Sequence, residues 1–84
     1  MTDFRNRKVL ITGAASGIGH LLALRIAARG GRLILWDVDA AHLAAVAAEI
    51  VAAGGQAAVV ACNPAERESI EAAAARTLAE QGAI

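Results

Sequence analysis

The chain has 84 residues, of which 57% are hydrophobic and 19% are charged, so it can form one small domain and is too apolar for a disordered tail. Eight basic and eight acidic residues cancel, which argues against nucleic acid or an anionic membrane as a partner. A single cysteine excludes an internal disulfide framework, and two scattered histidines do not indicate a metal centre. With no apolar run near the roughly 20 residues that span a bilayer, and no signal-peptide layout, we expect a cytoplasmic protein.

Short apolar runs alternate with helical patterns along the chain. Continuous apolar runs are typical of strands buried on both faces, and apolar residues spaced three and four apart indicate helices. In chain order, the sequence predicts a strand over 8–12, a glycine-rich segment over 13–19, a helix over 20–29, a strand over 32–36, a helix over 40–53, a strand over 56–61, a helix opening at 63–66 and ending at Gly82, and the start of a fourth strand at 83–84. This order favours an α/β fold, a parallel sheet with helices on its faces.

The helices also have predicted ends and inner faces. Asp39 is the expected N-cap of the second helix. Asn63 is the expected N-cap of the third, with Pro64 in its first position and Glu66 in its third. The residues expected to face inward are Leu21, Leu24 and Ala28 on the first helix, Leu43, Val46, Ala47 and Ile50 on the second, and Ile70, Ala73, Thr77 and Leu78 on the third.

The most informative segment is the glycine-rich one between the first strand and the first helix, with Gly13, Gly17 and Gly19. Gly13 allows a tight turn, Gly17 has no Cβ to hold a pyrophosphate away from the backbone, and Gly19 allows close packing of helix and strand. The unpaired N–H groups at the start of the helix then favour an anion. Glycines also serve plain turns, so the loop alone is weak evidence for a nucleotide site.

The acidic residue after the second strand strengthens this interpretation. Asp37 follows Gly19 by 18 residues, near the roughly 20 expected for a carboxylate that binds the adenosine ribose. A carboxylate there accepts hydrogen bonds from the 2′-hydroxyl and repels a 2′-phosphate, and no cation lies nearby in sequence. The expected cofactor is therefore NAD rather than NADP. The alternative is that Asp37 only caps the following helix, although Asp39 is better placed for that.

Together, the segment Thr12-Gly-x-x-x-Gly-Ile-Gly19, Asp37 and the Gly54-Gly55 break resemble the N-terminal part of the short-chain dehydrogenase/reductases. Residues 21–24 and 33–37 also resemble the branch that includes retinol and hydroxysteroid dehydrogenases. The resemblance implies that 1–84 is the N-terminal part of a single Rossmann domain with strand order 3-2-1-4-5-6-7. It implies an NAD(P)-dependent oxidoreductase that transfers hydride between the cofactor and an alcohol or ketone, and a homo-oligomer for the full-length protein.

The resemblance also assigns site residues. It implies that Gly13, Ser16, Gly17, Ile18 and Gly19 line the pyrophosphate and the nicotinamide-side ribose, and that Asp37 holds the adenosine ribose. At the position of the family's Asp-Val pair, which binds adenine, this chain has Asn63-Pro64. The Asn63 amide oxygen can still accept a hydrogen bond, but Pro64 has no N–H to donate. Helix capping by Asn63 would also explain this pair.

The catalytic residues of this family are not found in the chain. Its chemistry uses a Ser, a Tyr and a Lys in Tyr-x-x-x-Lys, but this chain has no tyrosine. It also ends before the Asn-Asn-Ala-Gly segment. We therefore expect a fragment of a longer enzyme, whose missing part would cover the uncharged edge of the first strand, 9–11. A non-catalytic nucleotide-binding module and an incomplete structural fragment are the alternatives.

Overall fold

A computed structural model describes residues 4–15 and 17–82 of the chain. Within these ranges, strands and helices alternate from β1 to α3. The elements are β1 (Lys8–Thr12), α1 (Gly17–Ala28), β2 (Arg32–Asp37), α2 (Ala40–Ala52), β3 (Gln56–Ala61) and α3 (Arg67–Gln81). The predicted α/β alternation is confirmed, and the predicted fourth strand at 83–84 lies outside the described residues.

The three strands form one parallel sheet in the order β1-β2-β3. Leu10 pairs with Ile34, which pairs with Ala58 on the other side. The central strand β2 has four consecutive buried residues, 33–36, whereas β1 is mostly half-buried. An apolar run is needed on β2 because both of its faces are covered.

Helices cover both faces of the sheet and produce three layers. One core lies between the sheet and helices α1 and α2, and the other lies between the sheet and α3. The first core includes Ile11, Leu33 and Leu35 from the strands, Ala23 from α1, and Leu43, Val46 and Ile50 from α2. The second consists of Ile34, Trp36, Val60, Cys62 and Ala73. This is the three-layer α/β/α arrangement that the sequence predicts.

The inner face of α1 differs in part from the prediction: Leu24 packs against the core as expected, whereas Leu21 and Ala28 are exposed. The helix begins at Gly17 rather than residue 20, and its one fully buried residue is Ala23, while Leu21 is 51% exposed. Gly19 and Ala23 are four residues apart and therefore share a face. Because these two small residues face inward, α1 lies close to the sheet, and the bulkier Leu21 is turned outward.

Helix α3 begins later than predicted. Its first residue is Arg67 and its N-cap is Glu66, so the prediction that Asn63 caps the helix is wrong. Asn63 and Pro64 instead belong to a turn that precedes the helix. Ala73 and Thr77 face inward as predicted, but Leu78 is 60% exposed and Ile70 38% exposed. None of the helices in the described ranges is both long and apolar enough to cross a membrane.

Candidate functional site: a glycine loop and an acidic strand end

The glycine loop lies where β1 ends and α1 begins. Gly13 has a φ of 66° and Gly17 a φ of 52°, a left-handed conformation that disfavours a Cβ. A Cβ at either position would meet nothing within 4 Å, so the space above the loop is open. Between these glycines, the N–H of Ala14 donates to the Trp36 carbonyl oxygen at 3.2 Å, which fixes the loop to the end of β2.

Gly19 allows the start of α1 to approach that loop. A Cβ at Gly19 would collide with the carbonyl group of Gly13, so glycine is required at this position. The first N–H groups of any helix lack partners within the helix and carry partial positive charge. At the start of α1, Ile18 is 78% exposed and a Cβ at Gly17 would meet nothing within 4 Å, so this helix end is accessible. Such an arrangement binds phosphate groups.

Asp37 connects this loop to the second strand. One carboxylate oxygen accepts from the Ala15 N–H at 3.0 Å, and the other accepts from the Asp39 N–H at 3.1 Å. Asp37 is half-buried. A carboxylate has about four acceptor positions, so two remain for donors such as sugar hydroxyls. The hydrogen bond from the loop to Asp37 has no direct signature in the sequence, because it depends on how the loop folds back over β2.

Asp39, not Asp37, caps helix α2, as predicted. It accepts from the His42 N–H at 3.1 Å and also contacts the His42 ring. The hydrogen bond from the His42 backbone, and the His42 side chain after it, lower the pKa of Asp39 below its ordinary 3.8. The Asp37 carboxylate is therefore not used as the cap of α2.

A cavity of about 250 Å³ opens beside Asp37, on the α3 side of the sheet. Its walls come from the ends of β1 (Thr12 and Gly13) and β2 (36–38), from Cys62 and Pro64 after β3, and from Ile70 on α3. The Trp36 indole is fixed because its Nε1–H donates to Thr77 Oγ1 at 3.1 Å, a buried contact. Most of the residues that line the cavity are apolar, and the Asp37 carboxylate lies at its edge.

Most of the predicted site residues lie together at this edge of the sheet. Gly13, Gly17, Gly19 and Asp37 surround the loop, with Ile18 at the start of α1, whereas Ser16 lies outside the described residues. Asn63 follows β3 in the neighbouring turn, half-buried, with its amide engaged by that turn. Thr77 was predicted to face inward but not to hold the Trp36 indole beside the cavity, and only its polarity on an otherwise apolar face could have indicated that contact.

Two other titratable groups lie near the site. His20, in the first turn of α1, has its Nε2 3.2 Å from Oε1 of Glu49 on α2, without the geometry of a hydrogen bond. Cys62 is buried in the second core. Over residues 4–15 and 17–82, no group of three His, Cys, Asp or Glu side chains could hold a metal ion.

Comparison with known proteins identifies the family. The model of the short chain dehydrogenase family matches residues 7–84. The chain belongs to this family. It is 41% identical over 81 residues to a cyclohexanol dehydrogenase of an Acinetobacter species, covering 96% of this chain and 32% of that protein. The chain therefore spans about a third of the length of this relative, and it spans 13% of a probable oxidoreductase from Mycobacterium tuberculosis to which it is 40% identical over 79 residues.

Solved structures of the family share the fold. A short chain dehydrogenase/reductase from Burkholderia phymatum, in complex with NAD, is 32% identical with a TM-score of 0.89, covering 100% of this chain and 30% of that one. A metagenomic short-chain oxidoreductase, in complex with NADP, is 37% identical with a TM-score of 0.89, covering 96% of this chain and 37% of that one. The three strands and three helices are thus the N-terminal part of a Rossmann fold.

Proposed function

We propose that the protein carrying this chain is an NAD(P)-dependent oxidoreductase of the short-chain type, and that residues 1–84 are the N-terminal, dinucleotide-binding part of its single Rossmann domain. One observation carries the proposal: the Asp37 carboxylate is bonded at 3.0 Å to the loop that opens α1. That hydrogen bond holds an acid suited to a ribose beside a helix start suited to phosphate, which is the pairing that a dinucleotide requires. Family membership and relatives that are dehydrogenases support it.

The chain's own residues fit such a cofactor. The open space above Gly13 and Gly17 lets the backbone approach a pyrophosphate without obstruction. The free acceptor positions of Asp37 suit the adenosine ribose hydroxyls, and the apolar cavity next to it suits a base. We also assign Ile18 and Ser16 to the wall of the pyrophosphate site and Asn63 to the rim of the base site.

The division of roles follows from this placement. When bound, a nicotinamide cofactor supplies hydride transfer to or from an alcohol or ketone carbon. In these 84 residues, the loop and the start of α1 would bind and orient the pyrophosphate, and Asp37 would fix the adenosine end. Since the chain has no tyrosine, it does not contain the tyrosine that moves the alcohol proton in this family.

Asp37 also supports a preference for NAD over NADP. A carboxylate at this position repels a 2′-phosphate. The neighbouring residues 13–15 and 38–41 contain no lysine or arginine that could neutralise that phosphate. Relatives of both kinds exist, one solved with NAD and one with NADP, so the preference must be read from this chain's own residues.

The experiment is calorimetric titration of the complete polypeptide with NAD and NADP, followed by assay of NAD reduction with secondary alcohols. We expect tighter binding of NAD, and reduction with at least one alcohol. Asp37→Ala should remove most of the preference, whereas Asp39→Ala, which changes a carboxylate two residues away, should leave it intact. If selectivity does not move in Asp37→Ala, the role given to Asp37 is wrong.

A second candidate is a nucleotide-binding module without catalysis. It predicts NAD binding without reduction by any alcohol. A fragment that binds nothing predicts no heat change at millimolar NAD.

We also propose a cytoplasmic homo-oligomer for the complete protein. Cell fractionation tests the location, and sedimentation velocity tests the oligomeric state.

A further inference from the structure

The turn between β3 and α3 uses all of its own hydrogen-bond donors. Pro64 has no N–H. The other four N–H groups donate within the protein: Cys62 to the Asp37 carbonyl oxygen at 2.8 Å, Asn63 to Ser69 Oγ at 2.8 Å, Ala65 to Asn63 Oδ1 at 3.0 Å, and Glu66 to the Asn63 carbonyl oxygen at 3.0 Å. No backbone N–H between 62 and 66 is left to bind a ligand beside the cavity.

The Asn63 side chain is held within the same turn. Its oxygen accepts from the Ala65 N–H, and its Nδ2 donates to Glu66 Oε1 at 3.0 Å. These two hydrogen bonds fix the orientation of the amide, with its oxygen toward Ala65 and its nitrogen toward Glu66. Turning the amide to face a ligand would break both bonds, so the turn holds the amide away from the base edge.

The cavity wall next to this turn is apolar. Trp36, Val38, Cys62, Pro64 and Ile70 line it. Trp36 is 9% exposed and is fixed by its hydrogen bond to Thr77, so the wall is rigid where the indole forms it. Apolar and aromatic walls bind the flat faces of a base, and they bind every base that fits, because each has such faces.

From these contacts we propose that this chain holds the base of the dinucleotide by its faces alone and does not read the base edge. The inference rests on the proposed dinucleotide function and adds the base selectivity of that same site. Adenine and hypoxanthine have nearly the same outline, but the six-position is a donor in adenine and an acceptor in hypoxanthine. The wall beside this turn offers no free edge partner and does not discriminate between them. The polar residues that line the cavity elsewhere, Thr12 and Asp37, lie at the ends of β1 and β2, and Asp37 is assigned to the ribose. Asn63 and Pro64 are thus the residues that determine this lack of selectivity.

The test compares NAD with nicotinamide hypoxanthine dinucleotide, by calorimetric titration of the complete polypeptide. We expect the two dissociation constants to agree within about fivefold, because sites that bind a substrate edge by buried hydrogen bonds discriminate far more strongly. A preference of more than about fivefold for either dinucleotide overturns the inference while leaving the dinucleotide function intact. If neither dinucleotide binds at millimolar concentration, the proposed function itself fails.

A wall variant separates contact with the base faces from contact with its edge. Ile70→Ala shortens a side chain that lines the cavity. It should therefore raise the dissociation constants of both dinucleotides by the same factor and leave the ratio of the two constants unchanged. Leu78→Ala is the matched control, since Leu78 is an exposed apolar residue of the same helix that does not line the cavity. It should change neither constant. A wall variant that shifts the ratio by more than about fivefold would contradict recognition by the faces.

Discussion

Gly17→Ala tests directly whether the loop backbone approaches a pyrophosphate. Gly17 has a φ of 52°, and a Cβ there would point into open space, so the substitution meets no protein atom within 4 Å. Its cost to the fold is therefore the left-handed backbone alone, about 1–2 kcal/mol, reduced by the smaller entropy of the unfolded chain. Its cost to binding is separate, because the new methyl group occupies space in which the pyrophosphate would lie.

Gly54→Ala provides the matched control. Gly54 also has a positive φ, of 91°, and a Cβ there would meet nothing within 4 Å, but it follows α2 at the opposite edge of the sheet. Both variants should lose about 1 kcal/mol of unfolding free energy in urea. Only Gly17→Ala should weaken the binding of NAD. Calorimetric titration should show a dissociation constant at least about tenfold higher, equivalent to about 1.4 kcal/mol. If both variants bind NAD within twofold of the wild type, the placement of the pyrophosphate is refuted.

Three further changes test individual contacts. Asp39→Asn keeps an oxygen for the His42 N–H but removes the charge. Since the pKa of Asp39 in the folded protein lies below 3.8, the wild type should lose unfolding free energy as the pH falls below that value. Urea unfolding across this pH range should show a smaller loss in the variant. Thr77→Val leaves the Trp36 Nε1–H buried without a partner and should cost about 1–3 kcal/mol of unfolding free energy, whereas Thr77→Ser should cost less; equal losses would contradict the hydrogen bond. Gly19→Ala should destabilise the protein in thermal unfolding although alanine normally favours a helix by about 0.5–1 kcal/mol, and a raised melting temperature would show that the close approach is not tight.

The strands and the helix α2 were predictable because their signals are local. The run from Leu33 to Trp36 is apolar throughout, and both faces of β2 are covered. On α2, Leu43, Val46 and Ile50 repeat at three and four residues, and all are buried. A residue pattern determines burial directly where one element packs with one face against one neighbour.

The face of α1 was only partly predictable from its own sequence. Leu24 packs against the core as predicted, but the collision that a Cβ at Gly19 would make with Gly13 fixes how closely the helix approaches the loop. That close approach selects the small residue Ala23 for burial. Leu21 is therefore more than half exposed, although its position fits a helical stripe. The determining contact joins two elements, and it is invisible in the periodicity of either.

The start of α3 was mispredicted for a related reason. Asn63 does accept from the N–H two residues ahead, as an N-cap would, but the Glu66 N–H then bonds back to the Asn63 carbonyl oxygen. That second bond closes a turn instead of a helix. The sequence of the segment is compatible with both outcomes. The distant hydrogen bond from Asn63 to Ser69 Oγ on α3 favours the turn.

Asp37 couples the fold to the candidate site. Its two carboxylate oxygens hold the Ala15 and Asp39 N–H groups, so the loop is shaped before any ligand arrives. A preshaped loop reduces the ordering cost of binding. The same coupling means that a ligand which adds donors to Asp37 stabilises the loop and, through it, the contact between β1 and β2. At a hundredfold excess over its dissociation constant, such a ligand raises the unfolding free energy by about 2.7 kcal/mol. One carboxylate thus accounts for the conformation of the loop and is the group to which the ribose site is assigned in the proposed function.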